Sequence, residues 1–287
     1  MNPAESRRVG VLGAGTMGAG IAQVAAQSGY EVVLYDVFEE AVQGAAQRLG
    51  ALLRRLAEKG KLTAEEAEAA IARITPTTEL EAMEGVQVVI EAAPERLDIK
   101  KSLFTQVEEV VSSEAILASN TSTLSITEIA TVLGDPSRVA GMHFFNPAPL
   151  LPLVEVIAGA ATAPETMDAL VALAVSFGKK PVRVKDVPGF IVNRVARPFH
   201  LEALRLLEQG VADVATIDRL TREGGGFRMG PFELQDLIGI DINYAASRSV
   251  YEAYFQAPRF RPSWRQRQQV ESGMLGRKTG RGWYEYD

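Results

Sequence analysis

Hydrophobic and polar positions along the chain change period several times, and each change marks an element. Residues 9–12 (VGVL) are a short uncharged run of strand length, and residues 17–28 (MGAGIAQVAAQS) continue as an apolar, alanine-rich stretch that reads as a helix. Gly29 stops that helix, and residues 31–36 (EVVLYD) predict a second strand ending on an acid. Between 39 and 74 the period becomes helical. Ala41, Ala45, Leu49, Leu52, Leu53 and Leu56 recur at helical spacing, and a break at 60–63 brings Thr63 and Glu66 into capping-box spacing. The expectation is a hairpin of two helices projecting from a sheet. Short apolar runs at 85–93 (GVQVVIEAA) and 115–120 (AILASN), flanking a helix over Ile99–Val111, read as further parallel strands. A helix over Ile126–Leu133, a strand over Val139–Phe144 and another within 150–159 (LLPLVEVIAG) follow. Past Asp186 the strands end, and PGFIVNRVARPFHLEALRLLEQG and what comes after it carry helical patterns with glycine breaks.

The turn between the first strand and the first helix carries chemistry. Gly13, Gly15 and Gly18 form GxGxxG there, and Asp36 closes the second strand eighteen residues after Gly18. In that setting the first glycine permits a tight turn, the second lets the backbone approach a pyrophosphate, and the third allows close packing of helix on strand. The helix N-terminus then faces the phosphates. Asp36 is placed to accept hydrogen bonds from the adenosine ribose hydroxyls. Val37 and Phe38 follow it with no arginine to receive a 2′-phosphate, which favours NAD over NADP. The predicted fold is α/β: a Rossmann-type doubly wound sheet with a helical hairpin insertion over residues 1–185, then an all-α C-terminal domain over 186–287. Ligands of such sheets gather beyond the carboxyl ends of the strands, where Glu95 and Asn120 fall. Asn120, Thr121, Ser122 and Thr123 share one turn; Thr123 and Ser125 are expected to cap the helix that follows.

His143 is one of two histidines, and it lies in GMHFFNPAPLLPLVEVI, where the next charged residue is Glu155. Eleven uncharged residues with three prolines cannot make a solvated helix, so the segment is expected to run through the interior or line a cleft. His143 and Glu155 then fall on successive strands or their edges, close enough to pair. A carboxylate on one ring nitrogen fixes the tautomer and leaves the other nitrogen for proton transfer. A lone buried histidine is more often structural. One beside a fold that moves hydride meets that reaction's need for a proton partner.

Composition removes other chemistries. With no cysteine, disulfides, thiolate nucleophiles and cysteine metal sites are excluded, and two histidines far apart in sequence point to no metal site. A formal net charge of −6 gives no broad electrostatic reason to expect nucleic acid or an anionic membrane as partner. No window approaches the roughly 20 uninterrupted apolar residues of a membrane span, and the start MNPAESRRV has no signal-peptide core, so a cytoplasmic protein is expected. The hairpin's basic residues Arg54, Arg55, Lys59 and Lys61 read equally as a contact for an anionic ligand tail and as a solvated face.

GAGTMGAGIAQ, SNTSTLSIT, GMHFFNP with LVEVI, KDVPGFIVNR, GPFELQDLIGID and GRKTGRGWYEY together resemble the L-3-hydroxyacyl-CoA dehydrogenase family, and within it the bacterial 3-hydroxybutyryl-CoA dehydrogenases. The likeness runs through essentially the whole chain. It implies reversible, NAD-dependent oxidation of an (S)-3-hydroxyacyl-CoA thioester to a 3-oxoacyl-CoA. It further implies that His143 carries the hydroxyl proton, Glu155 orients it, Ser122 hydrogen-bonds the reacting oxygen, and Asn193 lies near that oxygen and the thioester. Implied cofactor contacts are Gly13, Gly15 and Gly18 with Thr16 and Met17 of the same turn, and Asp36, Glu95, Lys100 and Asn120. Lys59 falls where the family has a basic contact to coenzyme A, although the hairpin is shorter here and Leu52 stands where some members carry a hydroxyl. His200 matches no functional position and reads as a helix side chain. A homodimer through the helical domain and a stand-alone enzyme are also implied. Other readings are a dehydrogenase of free hydroxy acids, gulonate-like, without dependence on coenzyme A; a 6-phosphogluconate-type enzyme, which ordinarily uses a lysine as proton carrier; and a non-catalytic NAD-binding protein.

Overall fold

The computed structural model describes residues 7–286. The polar start read over residues 1–6 lies outside them. The chain divides after Val187 into two compact units.

The first unit runs β1 (Arg8–Leu12), α1 (Thr16–Gln27), β2 (Glu31–Tyr35), α2 (Glu39–Glu58), α3 (Ala64–Ala72), β3 (Ile74–Thr77), β4 (Val88–Glu91), α4 (Leu97–Glu108), β5 (Ile116–Ser119), α5 (Ile126–Ala130), β6 (Val139–Phe144), β7 (Leu153–Ala158), α6 (Pro164–Ser176) and β8 (Lys180–Lys185). The strands form one sheet in the order β3-β2-β1-β4-β5-β6-β7-β8. All neighbours are parallel except β6 and β7, which run antiparallel. Chain order reverses direction between β1 and β4, and a crevice opens at such a switch point beyond the strand ends. Val32, Val33 and Leu34 are buried in succession, as expected of a strand covered on both faces. Ile21, Ala22, Ala25 and Ala26 of α1 pack in the same core as Val42, Ala45, Leu49 and Leu53 of α2.

The sequence pattern announces neither β3 nor β8. Both contain proline, Pro76 and Pro181, and both are edge strands, the place where a missing N–H donor is tolerated. The helical hairpin forms as expected, with α3 opened by a reciprocal capping box in which Glu66 N donates to Thr63 Oγ1 at 3.1 Å and Thr63 N to Glu66 Oε2 at 2.8 Å. Its apolar face is narrower than the spacing suggests: Leu52 is exposed. Arg54 is engaged across the hairpin by Glu68 at 2.7 Å. Ser125 caps α5 as expected, whereas Thr123 turns its hydroxyl to Glu95 instead.

The charge-poor segment after His143 is interior at its flanks and again at Ala148, which is buried in the main core. Phe144 and Val154 are buried in β6 and β7, while Asn146, Pro147, Leu150, Leu151 and Pro152 between them are exposed. Lys179 holds this loop. Its buried ammonium donates to the carbonyls of Ala148 at 2.6 Å, Leu151 at 3.0 Å and Pro149 at 3.5 Å, and burial pushes its pKa below the ordinary lysine value.

The second unit is all-helical, as expected: α7 (Val192–Glu208), α8 (Val214–Glu223), α9 (Pro231–Ile238), α10 (Ile240–Ala253) and α11 (Trp264–Glu271). Leu201, Ala203, Leu204, Ile217 and Phe232 form its core. The C-terminal residues are tied to α9, where Asp236 accepts from Trp283 N, Tyr284 N and Tyr286 Oη at 3.0, 3.0 and 2.9 Å. His200 is a buried side chain of α7 with Nδ1 3.2 Å from the Pro231 carbonyl. Among the described residues no helix is long and apolar enough to cross a membrane.

Candidate active site

At the end of β1 the three glycines meet three different demands. Gly13 has φ +102°, and a Cβ there would sit 2.8 Å from the Ala92 carbonyl oxygen. A Cβ on Gly18 would lie 1.7 Å from the Gly13 carbonyl oxygen, so α1 can approach the turn only because it is absent. Gly15 has no atom within 4 Å of the position its Cβ would take. It is the N-cap of α1, which has no side-chain cap and no acid in its first turn. The N-terminal N–H groups of that helix and its positive end therefore face open space. A pyrophosphate fits this cradle. Thr16 and Met17 are the first two residues of the helix.

Asp36 follows β2 and binds the turn directly, Oδ2 accepting from Ala14 N at 2.8 Å and Oδ1 from Phe38 N at 3.1 Å. Val37 and Phe38 are exposed beside it. One carboxylate thereby fixes the glycine turn and carries negative charge at the end of β2, an arrangement suited to ribose hydroxyls and unsuited to a 2′-phosphate.

Beyond β4 and β5 lies a dense polar network. Glu95 Oε1 gathers Thr121 Oγ1 at 2.7 Å, Ser122 N at 2.8 Å, Ser122 Oγ and Thr123 N at 3.1 Å, and Thr123 Oγ1 at 3.2 Å. Burial disfavours the charged form of Glu95, but the Lys100 ammonium and the hydrogen bonds from Thr121 and Ser122 outweigh it, and its pKa falls below the ordinary glutamate value. Lys100 is 1% exposed, its ammonium 2.6 Å from Glu91 Oε1 and 3.4 Å from Glu95 Oε2. Asn120 Oδ1 accepts from Phe144 N at 2.8 Å, which fastens this turn to the end of β6.

His143 is the fifth residue of β6 and Glu155 the third of β7. The antiparallel register pairs them directly, and Nδ1 of the ring lies 2.8 Å from Glu155 Oε2. Both are buried, at 6% and 1% exposure, and the Phe145 ring packs 4.4 Å from the imidazole, centroid to centroid. A carboxylate at one nitrogen sets ring orientation and stabilises the imidazolium that forms on proton uptake.

Thus the first unit brings Gly13, Gly15, Thr16, Met17, Gly18 and Asp36 to one end of the sheet, with Glu95, Asn120, Ser122, His143 and Glu155 at or just beyond neighbouring strand ends and Lys100 in the first turn of α4. Lys59 stands apart, exposed at the C-terminal end of α2. Asn193 belongs to the second unit, in the first turn of α7. Glu91 is a residue the sequence reading overlooks. It ends an otherwise apolar strand as Asp36 ends another, and that parallel is the signal that could have found it.

The match to known proteins spans both units. Residues 8–187 match the model of the 3-hydroxyacyl-CoA dehydrogenase NAD binding domain, and residues 189–286 that of the 3-hydroxyacyl-CoA dehydrogenase C-terminal domain. The chain is 51% identical to a 3-hydroxyadipyl-CoA dehydrogenase of Escherichia coli (strain K12), over 97% of its own length and 58% of that protein's. It is 43% identical to a probable 3-hydroxybutyryl-CoA dehydrogenase of Bacillus subtilis (strain 168), covering 99% of this chain and 98% of the other. A crystal structure of 3-hydroxybutyryl-CoA dehydrogenase from Escherichia coli K12 superposes with a TM-score of 0.96 at 50% identity, over 98% of this chain and 60% of that one. The chain therefore spans under two thirds of the first and third of these relatives and nearly all of the second.

Proposed function

Since this chain belongs to the 3-hydroxyacyl-CoA dehydrogenase family, we propose that it interconverts an (S)-3-hydroxyacyl-CoA, such as 3-hydroxybutyryl-CoA, and the 3-oxoacyl-CoA, with NAD as the electron carrier. Bound NAD supplies the hydride acceptor for C3. Gly13, Gly15, Thr16, Met17 and Gly18 hold its pyrophosphate, Asp36 its adenosine ribose, and Glu95, Lys100 and Asn120 border its nicotinamide end. His143 takes the C3 hydroxyl proton in oxidation and returns one in reduction, with Glu155 supporting the imidazolium. Ser122 hydrogen-bonds the reacting oxygen, its hydroxyl turning there from Glu95 Oε1, and Asn193 lies near that oxygen and the thioester, which orients C3 and offsets charge developing on oxygen. Lys59 contacts the coenzyme A phosphates. The observation that carries this reading is the buried 2.8 Å pair of His143 and Glu155, on strands next to the turn of Ser122. A second copy of the chain completes the enzyme through the helical unit, whose exposed Val195, Leu220, Phe227 and Ile242 support an apolar interface. A location in the cytoplasm follows the same reading.

The test is NADH oxidation by the purified protein with acetoacetyl-CoA and 3-oxoadipyl-CoA, against free acetoacetate and against NADPH. Turnover confined to thioesters and NADH is expected. Turnover of the free acid would transfer the site to the hydroxy-acid reading, and NADH binding without turnover of any of these compounds to the non-catalytic one.

A further inference from the structure

Glu91 is fully buried, it lies in none of the expected contact sets, and its two oxygens are shared among three partners. Oε1 accepts from Lys100 Nζ and Ala93 N, both at 2.6 Å, and Oε2 from Ser119 Oγ at 2.5 Å. Two of those partners lead to the turn of Ser122 by separate routes. Lys100 reaches Glu95 Oε2 at 3.4 Å, and Glu95 holds Thr121, Ser122 and Thr123. Ser119 Oγ accepts from Thr121 N at 3.3 Å, and Thr121 Oγ1 donates to Glu95. The contacts close a ring of Glu91, Ser119, Thr121, Glu95 and Lys100. Strand register puts its first corner in place, since Glu91 ends β4 directly opposite Ser119 at the end of β5.

A buried lysine and glutamate are a weak way to stabilise a fold, because a well-packed apolar pair of similar volume commonly does as well or better. What such a pair does supply is a fixed position for a charge. Here the fixed charge is the Lys100 ammonium, which besides Glu91 meets the Ala93 carbonyl at 3.3 Å and the one oxygen of Glu95 that the turn leaves to it. We infer that Glu91 is a positioning residue: through Lys100 on one side and Ser119 on the other, it fixes the Glu95 carboxylate and hence the turn that presents the Ser122 hydroxyl to the reacting oxygen. The inference rests on the function proposed for Ser122. Glu91 touches neither substrate nor cofactor in this arrangement and acts only through the ring.

The experiment measures kcat for acetoacetyl-CoA reduction and thermal melting in five full-length proteins. These are the wild type, Glu91→Gln, Ser122→Ala, the double variant of those two, and Glu91→Leu/Lys100→Met. Glu91→Gln keeps the shape and drops the charge that anchors Lys100, and kcat should fall about tenfold or more. In the Ser122→Ala background the same change should cost less than threefold, because the group being positioned is already gone. The apolar pair, whose kcat also falls through the loss of Lys100 at the nicotinamide end, separates activity from stability: it should melt no lower than Glu91→Gln and lose kcat despite that. A full loss persisting without the Ser122 hydroxyl, or wild-type kcat in the apolar pair, overturns the inference. If Glu91→Gln does not fold, the apolar pair with and without Ser122→Ala gives the same comparison. A wild type inactive on acetoacetyl-CoA removes the proposed function and this inference together, whereas an active wild type with unaffected variants removes the inference alone.

Discussion

Replacing Glu155 with glutamine exchanges one heavy atom for another and removes one charge. The side chain is 1% exposed and its Oε2 is 2.8 Å from His143 Nδ1, so water neither screens the contact nor replaces it. In the resting enzyme the amide oxygen can still accept from the ring N–H, and NADH should bind as before. The difference arises as the ring gains a proton and becomes an imidazolium. A hydrogen bond to a charged group contributes about 1.5–3 kcal/mol, and losing that amount at the transition state lowers kcat about 10- to 160-fold. The assay is kcat for oxidation at saturating NAD and (S)-3-hydroxybutyryl-CoA, the direction in which His143 takes up the proton, with NADH Kd from fluorescence and a thermal melt to show that the variant is folded. A folded Glu155→Gln with kcat within twofold of wild type would refute the role given to the pair, and a loss appearing only in KM would place it in binding.

Asp36→Ala removes the acceptor of Ala14 N and the acid at the end of β2. It should weaken NADH binding by about 10- to 160-fold, from a charge-assisted loss of about 1.5–3 kcal/mol, and an unchanged Kd would displace Asp36 from the site. Gly18→Ala sets a Cβ 1.7 Å from the Gly13 carbonyl oxygen, where both clashing atoms are fixed by backbone. Destabilisation at or above the usual overpacking range of about 1–3 kcal/mol should follow, together with loss of NADH binding, and a wild-type melt would contradict the turn geometry. Burial and the nearby Arg197 lower the His200 pKa from 6.5 to about 3. The unfolded chain therefore takes up this proton first as acid is added. Stability is full above about pH 6.5 and falls toward pH 3, by up to about 1.4 kcal/mol per pH unit. Urea melts of His200→Gln should show a slope shallower by one proton in that window, and equal slopes would count against the burial.

The hydrophobic pattern reveals the parts of the fold whose period is set by burial. β1, α1, β2 and the hairpin were legible because each buries a defined face or run, and the capping box at Thr63 is a purely local signal. β3 and β8 were not, because an edge strand pairs on one side and tolerates proline, which in isolation argues against a strand. Leu52 misleads for a related reason: helical spacing identifies neighbours on a face but not where the covering element stops. At the site, GxGxxG and its acid are legible because their spacing is itself the geometry. The pairing of His143 with Glu155 was legible from a shortage of alternatives, as Glu155 is the next charged residue after His143 along the chain. Glu91 was hidden because its partners, Lys100 and Ser119, lie nine and twenty-eight residues away and are joined only by strand register and the turn of a helix.

The most direct test of the account is NADH consumption with acetoacetyl-CoA, measured side by side for the wild type and His143→Ala. The account expects rapid turnover by the wild type, NADH affinity within about threefold in the variant, and a kcat lower by about two to four orders of magnitude, the range of general acid–base catalysis. Equal turnover by the two proteins would take His143 out of the mechanism, and a wild type that binds NADH but leaves the thioester unreduced would contradict the proposed reaction itself.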